Sequence, residues 1–194
     1  MTFYRFARAV LRLLYRALFR IRISGTEHIP AEGGVLLCSN HISNLDPPIV
    51  GIFIKRPVRF MAKEELFKVP VLGPIIDKLG AFPVKRGGIS KDSIRIALTV
   101  LREGGIMGIF PEGTRNSQSA VAKKGAAVFA LRSDAAVVPV AIIGQYKLFS
   151  KIKVVYGPPV DLTAYKGKDA TGTAEEATDK IMAEIRQLIK QNQS

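Results

Sequence analysis

A histidine and an aspartate five residues apart have the types and spacing of an acid–base pair. His41 and Asp46 lie in the segment NHISNLD (residues 40–46), between a predicted strand and a predicted helix. If the chain turns back here, the carboxylate fixes the imidazole tautomer and stabilises the imidazolium that forms on proton uptake. Such a pair is a general base suited to an alcohol. On spacing alone, a loop histidine beside an aspartate that caps a helix is the simpler interpretation.

A second polar run, FPEGTRN (residues 110–116), also follows a predicted strand. Gly113 permits close approach of the backbone or a positive φ. Thr114 and Arg115 supply donors suited to phosphate, which arginine binds through two bonds at once. Glu112 adds a carboxylate to the run. By itself this composition also fits a solvated loop with surface charges.

Two further basic positions occupy comparable places in the chain. Arg86 ends the extended run GAFPVKRG (residues 80–87), and Lys124 begins a predicted helix, where free amides and the helix dipole favour anions. Taken singly, each also fits an ordinary surface cation.

Apart from Lys124, these positions lie where predicted strands end. Short apolar runs at 34–39, 80–84, 106–110 and 136–142 alternate with helical patterns, including a helix predicted over 46–55 with Asp46 as its N-cap. This alternation predicts an α/β fold with a largely parallel central sheet flanked by helices. In such folds, sites collect at the carboxyl ends of the strands.

The charge balance points to an anionic partner. Lys and Arg number 29 against 16 Asp and Glu, a net charge of +13, which suits nucleic acid, an anionic membrane surface or phosphorylated substrates. Residues 1–22 carry six arginines and no acid. Arginines at 5, 8, 12, 16 and 20 share one helix face, so we expect an amphipathic helix lying in a membrane interface. The alternative is a terminal helix packed on its own domain.

Other classes of protein fit the sequence poorly. The single cysteine, Cys38, excludes an internal disulfide and reads as a buried strand residue. With only two histidines, a zinc site of Cys and His is not expected. The sequence lacks zinc-finger spacing and aromatic RNA-binding motifs, so no nucleic-acid partner is expected.

Four blocks, in this order, resemble the lysophosphatidic acid acyltransferase (1-acyl-sn-glycerol-3-phosphate acyltransferase) family of glycerolipid acyltransferases. The N-H-x-x-x-x-D block is residues 40–46, and an arginine-bearing block is 82–86. The F-P-E-G-T-R block is matched letter for letter at 110–115, and a hydrophobic block with a proline at 137–142. The resemblance covers roughly residues 21–160.

The resemblance implies transfer of a fatty acyl chain from acyl carrier protein or coenzyme A to the sn-2 hydroxyl of lysophosphatidic acid, giving phosphatidic acid for phospholipid biosynthesis. His41 and Asp46 are then the catalytic pair of an acyltransferase domain at 23–194. The implied substrate-binding residues are Arg86, Glu112, Gly113, Thr114, Arg115 and Lys124. The resemblance implies no metal and no cofactor besides the thioester co-substrate. It also implies a peripheral position on the cytoplasmic face of the cell membrane.

Several alternatives remain at this point. The acceptor can be glycerol 3-phosphate or another lysophospholipid, because the headgroup and tail are read by pocket shape. A non-catalytic membrane-binding protein of the same fold is a more distant alternative, and a basic nucleic-acid binder more distant still. An intact His41 and Asp46 argue against a non-catalytic role.

Overall fold

The computed structural model describes residues 2–84, 90–112, 120–165 and 170–193, and its frame is a seven-stranded sheet. The strands are β1 (Arg20–Ser24), β2 (Val35–Ser39), β3 (Val58–Lys63), β4 (Phe82–Val84), β5 (Ile106–Ile109), β6 (Ala136–Gly144) and β7 (Lys151–Tyr156). Their spatial order is β1-β7-β6-β2-β5-β3-β4. Every neighbouring pair is parallel except β6 and β7. The sheet is therefore largely parallel, as predicted.

Helices cover both faces of the sheet. They are α1 (Thr2–Leu18), α2 (Asp46–Ile52), α3 (Glu64–Phe67), α4 (Leu72–Lys78), α5 (Lys91–Arg102), α6 (Ala120–Ser133) and α7 (Ala170–Asn192), with 3-10 turns at Thr26–His28 and Thr163–Tyr165. Two predicted bounds differ. The helix predicted over 46–55 ends at Ile52. The helix predicted over 1–22 ends at Leu18, because Arg20–Ser24 pairs with β7 as a strand.

The central strand β2 divides the core into two layers. All five of its residues are buried, and successive side chains point to opposite faces of the sheet. Leu36 and Cys38 pack with side chains of α5, α6 and α7. Val35 and Leu37 pack with side chains of α1 and α2. Helices α1 and α2 therefore pack together on this face of the sheet.

Helix α1 docks on this second layer through its arginine-bearing face. Arg8 Nη1 donates to the carbonyls of Ile54 and Lys55 at 2.9 and 2.7 Å, and Arg12 Nε donates to the carbonyl of Ile52. These carbonyls lie at and just beyond the C-terminal end of α2, where the helix dipole favours cations. Two of the arginines expected to face lipid therefore contact the protein itself.

The opposite face of α1 is apolar and uncovered. Leu13 is 72% exposed and Phe6 66% exposed. The large apolar side chains exposed on this helix are Phe3, Phe6, Val10, Leu13, Leu14 and Leu18. Among the helices of the described ranges, none has both the length and the apolar content needed to cross a bilayer.

Candidate active site

The first residue after β2 is an asparagine that binds the neighbouring strand. Asn40 Nδ2 donates to the Ile142 carbonyl at 2.9 Å, and the Ile142 amide donates to Asn40 Oδ1 at 2.8 Å. This side chain is buried and thus extends the pairing of β2 with β6 beyond the end of the strand. These two hydrogen bonds between Asn40 and Ile142, the Asn40 clamp, set the point at which the chain leaves the sheet, immediately before His41.

His41 and Asp46 meet as the turn-back hypothesis requires. His41 Nδ1 lies 2.7 Å from Asp46 Oδ2, and the Asp46 side chain has no exposed surface. Because a carboxylate only accepts hydrogen bonds, Nδ1 carries the proton and Nε2 is left as the basic nitrogen. The imidazole is 16% exposed, so a substrate hydroxyl can approach it.

The predicted N-cap role of Asp46 is wrong, and its carboxylate organises the preceding loop instead. Leu45 is the N-cap of α2 and makes no capping bond through its side chain. Asp46 Oδ2 accepts the amides of Ile42 and Ser43 at 2.6 and 2.7 Å. The next two residues of the helix are prolines, which have no amide hydrogen, and the Ile49 amide donates to the Leu45 carbonyl. The carboxylate is therefore turned towards the histidine.

An aromatic ring supports the other side of the imidazole. The ring of Phe110 stacks on His41 with centroids 4.2 Å apart and an angle of 22° between the planes. Phe60 in turn lies 6.2 Å from Phe110. Since β5 is the parallel neighbour of β2, the residues that follow these two strands come together at one edge of the sheet. The sequence analysis included Phe110 in the run FPEGTRN but assigned it no role.

Two tyrosines distant in sequence complete the surroundings of the carboxylate. The Tyr146 hydroxyl donates to Asp46 Oδ1 at 2.7 Å, and the Tyr15 hydroxyl donates to the Leu45 carbonyl at 2.9 Å. Burial raises the pKa of Tyr146, and the hydrogen bond to Asp46 and its charge raise it further. Burial and the charge of Asp46 also raise the pKa of Tyr15. The sequence analysis missed both tyrosines.

The remaining predicted site residues are described only in part. Glu112 is exposed in the turn that follows Phe110. The described residues leave out Arg86, Gly113, Thr114 and Arg115, together with the side chain of Lys124, although the backbone of Lys124 lies in α6. Their predicted contacts with phosphate therefore stay predictions.

The cysteine and the second histidine, Cys38 and His28, have structural roles. Cys38 is wholly buried, and burial raises the pKa of its thiol. His28 Nδ1 lies 2.8 Å from the Tyr156 carbonyl, in the 3-10 turn before β2. Over the part of the chain that the structure describes, no three His, Cys, Asp or Glu side chains gather into a metal-binding group.

Comparison with known sequences gives a family match and several similar proteins. A family model described as Acyltransferase matches residues 20–143. The chain is 29% identical over 197 residues to the 1-acyl-sn-glycerol-3-phosphate acyltransferase of Bacillus subtilis, covering 97% of this chain and 99% of that protein. It is 34% identical over 149 residues to the protein of the same name from Borreliella burgdorferi, covering 74% of this chain and 60% of that protein.

The fold is similar to that of a solved structure. The crystal structure of the 1-acyl-sn-glycerophosphate (LPA) acyltransferase from Thermotoga maritima superimposes with a TM-score of 0.72 at 22% sequence identity. The match covers 100% of this chain and 79% of that one. This similarity confirms the predicted α/β fold class.

Proposed function

This chain belongs to the acyltransferase family, and we propose that it moves a fatty acyl chain from an acyl thioester to the sn-2 hydroxyl of lysophosphatidic acid, giving phosphatidic acid. The match over residues 20–143 confirms the family predicted from the four sequence blocks. The names of the Bacillus and Borreliella proteins support the choice of acceptor. The observation that carries the proposal is the 2.7 Å contact between His41 and the buried Asp46.

The catalytic pair supplies general base and then general acid catalysis. His41 Nε2 takes the proton of the acceptor hydroxyl as its oxygen attacks the thioester carbonyl. Asp46 keeps the proton on Nδ1 and stabilises the resulting imidazolium. When the tetrahedral intermediate collapses, the carbon–sulfur bond breaks and the leaving thiolate takes the proton from Nε2. An ester and a free thiol result, without a covalent intermediate on the enzyme.

The acceptor phosphate is assigned to the basic residues of the sequence blocks. Strand β4 ends at Val84, two residues before Arg86. The strands β4, β3, β5 and β2 are successive parallel neighbours, so their carboxyl ends share the edge at which His41 lies. We assign Arg86, Arg115 and Lys124 to the phosphate. We assign Glu112 to an acceptor hydroxyl, because a carboxylate repels phosphate. Gly113 and Thr114 complete this acceptor site.

Helix α1 is assigned to the surface of an anionic membrane. Its uncovered face carries large apolar side chains, which suits burial at the boundary of headgroups and acyl chains. A lipid acceptor that stays in the membrane avoids a transfer to water that costs about 0.8 kcal/mol per methylene. This arrangement corresponds to a peripheral enzyme on the cytoplasmic face, where acyl carrier protein and coenzyme A thioesters are found.

Product analysis by mass spectrometry tests the activity directly. Purified protein is given lysophosphatidic acid with either acyl carrier protein or coenzyme A as the thioester, and each lipid product is identified. We expect phosphatidic acid with at least one donor, and none from His41→Ala. His28→Ala is the matched control, because His28 contacts a backbone carbonyl away from the pair.

Other acceptors distinguish the remaining alternatives. Glycerol 3-phosphate and a neutral lysophospholipid are supplied in parallel reactions. Acylation of one of these in place of lysophosphatidic acid would replace the proposed acceptor but keep the acyltransferase chemistry. Full turnover by a folded His41→Ala variant would remove His41 from the role of base.

A further inference from the structure

We propose that Tyr146 is a positioning residue for the catalytic pair, holding the Asp46 carboxylate in the orientation that serves His41. The role deepens the proposed function and rests on it. Tyr146 lies outside the four sequence blocks, in the connection between β6 and β7. It is 100 positions from Asp46 along the chain, and it is brought to the site by the fold alone.

The two oxygens of Asp46 are supported unequally. Oδ2 accepts His41 Nδ1 and two loop amides, whereas Oδ1 accepts the Tyr146 hydroxyl at 2.7 Å. Within the described ranges, Tyr146 is the one donor to Oδ1. A buried carboxylate is stable as an anion only when its oxygens are hydrogen-bonded. Loss of this donor would leave one oxygen of a wholly buried charge without a partner.

Tyr146 is itself held in place from both sides. Its ring packs edge-on against Phe19, with centroids 5.5 Å apart and planes at 85°. The connection that carries it is tied to the end of α1, because the Phe149 amide donates to the Leu18 carbonyl at 2.7 Å. The Arg20 amide likewise donates to the Ser150 carbonyl at 2.9 Å. The hydroxyl thus meets Asp46 from a fixed direction.

Tyr146 remains a hydrogen-bond donor at neutral pH. Burial, the hydrogen bond to Asp46 and the negative charge of that carboxylate all raise the pKa of Tyr146. A raised pKa means that the phenol loses its proton only at higher pH than a free tyrosine. At neutral pH it therefore donates to Oδ1 and does not add a second negative charge.

The test compares the same substitution at two buried tyrosines. Tyr146→Phe removes the hydroxyl and keeps the ring against Phe19. Tyr156→Phe is the matched control, since its hydroxyl donates to the Val50 carbonyl at 2.8 Å and touches neither catalytic side chain. Steady-state kinetics, thermal unfolding and the NMR resonance of the His41 Nδ1 proton are measured for both. His41→Ala identifies that resonance by its loss.

We expect Tyr146→Phe to lower kcat about tenfold, to leave KM for both substrates unchanged and to shift the His41 proton resonance. Tyr156→Phe should leave kcat and the resonance as they are. An unchanged kcat in an active enzyme, an unchanged resonance, or equal effects in both variants would overturn the proposal. The resonance needs no turnover, so failure of the proposed function is distinguishable from failure of this assignment.

Discussion

The imidazole of His41 is stacked on the ring of Phe110, with 4.2 Å between their centroids and 22° between their planes. The contact joins the segments that follow β2 and β5, whose register pairs Cys38 with Ile109. The hydrogen bond between Nδ1 and Asp46 holds one edge of the imidazole, and the ring of Phe110 packs against one of its faces. The two contacts together leave Nε2 in a single orientation.

Replacing Phe110 with leucine should lower kcat by about two- to tenfold, because an aromatic pair adds roughly 0.5–1.5 kcal/mol beyond its buried area. KM should change little, since the ring orients the base. Steady-state kinetics with saturating donor measures both constants. Phe60→Leu is the control, because Phe60 contacts Phe110 and not the imidazole. Equal losses in the two variants would contradict an orienting role for Phe110.

Replacing Asp46 with asparagine should lower kcat by about a hundredfold or more, within the range that general acid–base catalysis contributes. The amide carries no charge to stabilise the imidazolium, and when its oxygen takes the place of Oδ2 its NH2 group cannot accept from the Tyr146 hydroxyl. Single-turnover kinetics together with circular dichroism separate a chemical defect from misfolding. Near-normal turnover by folded Asp46→Asn would remove the carboxylate from the mechanism.

Replacing Asn40 with alanine should lower the free energy of unfolding by about 2–4 kcal/mol. The change leaves the buried amide and carbonyl of Ile142 without partners, each at a cost of about 1–3 kcal/mol. Urea denaturation measures the effect. Asn192→Ala serves for comparison, because it removes one bond to Leu188 at the end of α7 and should cost less. Similar costs for the two variants would argue against the clamp.

Thiol reagents should leave the folded enzyme active. Burial raises the pKa of Cys38, so between pH 7 and 9 its thiolate fraction is smaller than that of a free thiol. Iodoacetamide should modify Cys38 only in urea, which intact-mass spectrometry detects as one added group. Rapid modification of the native protein with loss of turnover would contradict this prediction.

Polar substitutions on the outer face of α1 should weaken membrane binding without changing the catalytic pair. Phe6→Gln combined with Leu13→Gln removes two exposed apolar side chains, each worth about tenfold or more in affinity if buried in lipid. Sedimentation with vesicles containing anionic phospholipid measures binding, and a detergent-dispersed acceptor measures kcat.

The control for that experiment lies on α5, where Ile96 is 40% exposed. Ile96→Gln should bind vesicles like the wild-type protein. Unchanged binding by the α1 variant, or an equal loss for Ile96→Gln, would mean that the apolar face of α1 does not meet the membrane.

The parts of the site that are local in sequence could be predicted, and the parts that the fold assembles could not. His41 and Asp46 are five residues apart, so their types and spacing raised the pair as a candidate, and the resemblance over four blocks favoured it over a simple helix cap. Tyr146 and Tyr15 reach the same carboxylate and loop from 100 and 30 positions away, and no local pattern marks them. The direction of Asp46 was misread because two prolines follow it and the amide of Ile49, the next residue, donates to the Leu45 carbonyl instead.

The fold class was predictable because alternation of strands and helices is a local signal, whereas the bounds depended on tertiary pairing. Arg20–Ser24 continues a helical charge pattern but forms a strand because Lys151–Tyr156 lies beside it. The arginines of α1 were expected at a lipid surface. The structure uses Arg8 and Arg12 to bind carbonyls at and just beyond the end of α2, a contact between segments about 40 residues apart.

The pairing of β1 with β7 has a consequence for how the protein folds while it is being translated. Arg20 lies opposite Lys151, so the strand that follows α1 gains its partner only after some 130 further residues have been made. Helix α1 is made before the other described elements, and the strand that follows it pairs late, as contacts of high sequence separation form late. During translation its apolar face is thus available to a lipid bilayer or a chaperone before the domain has closed behind it.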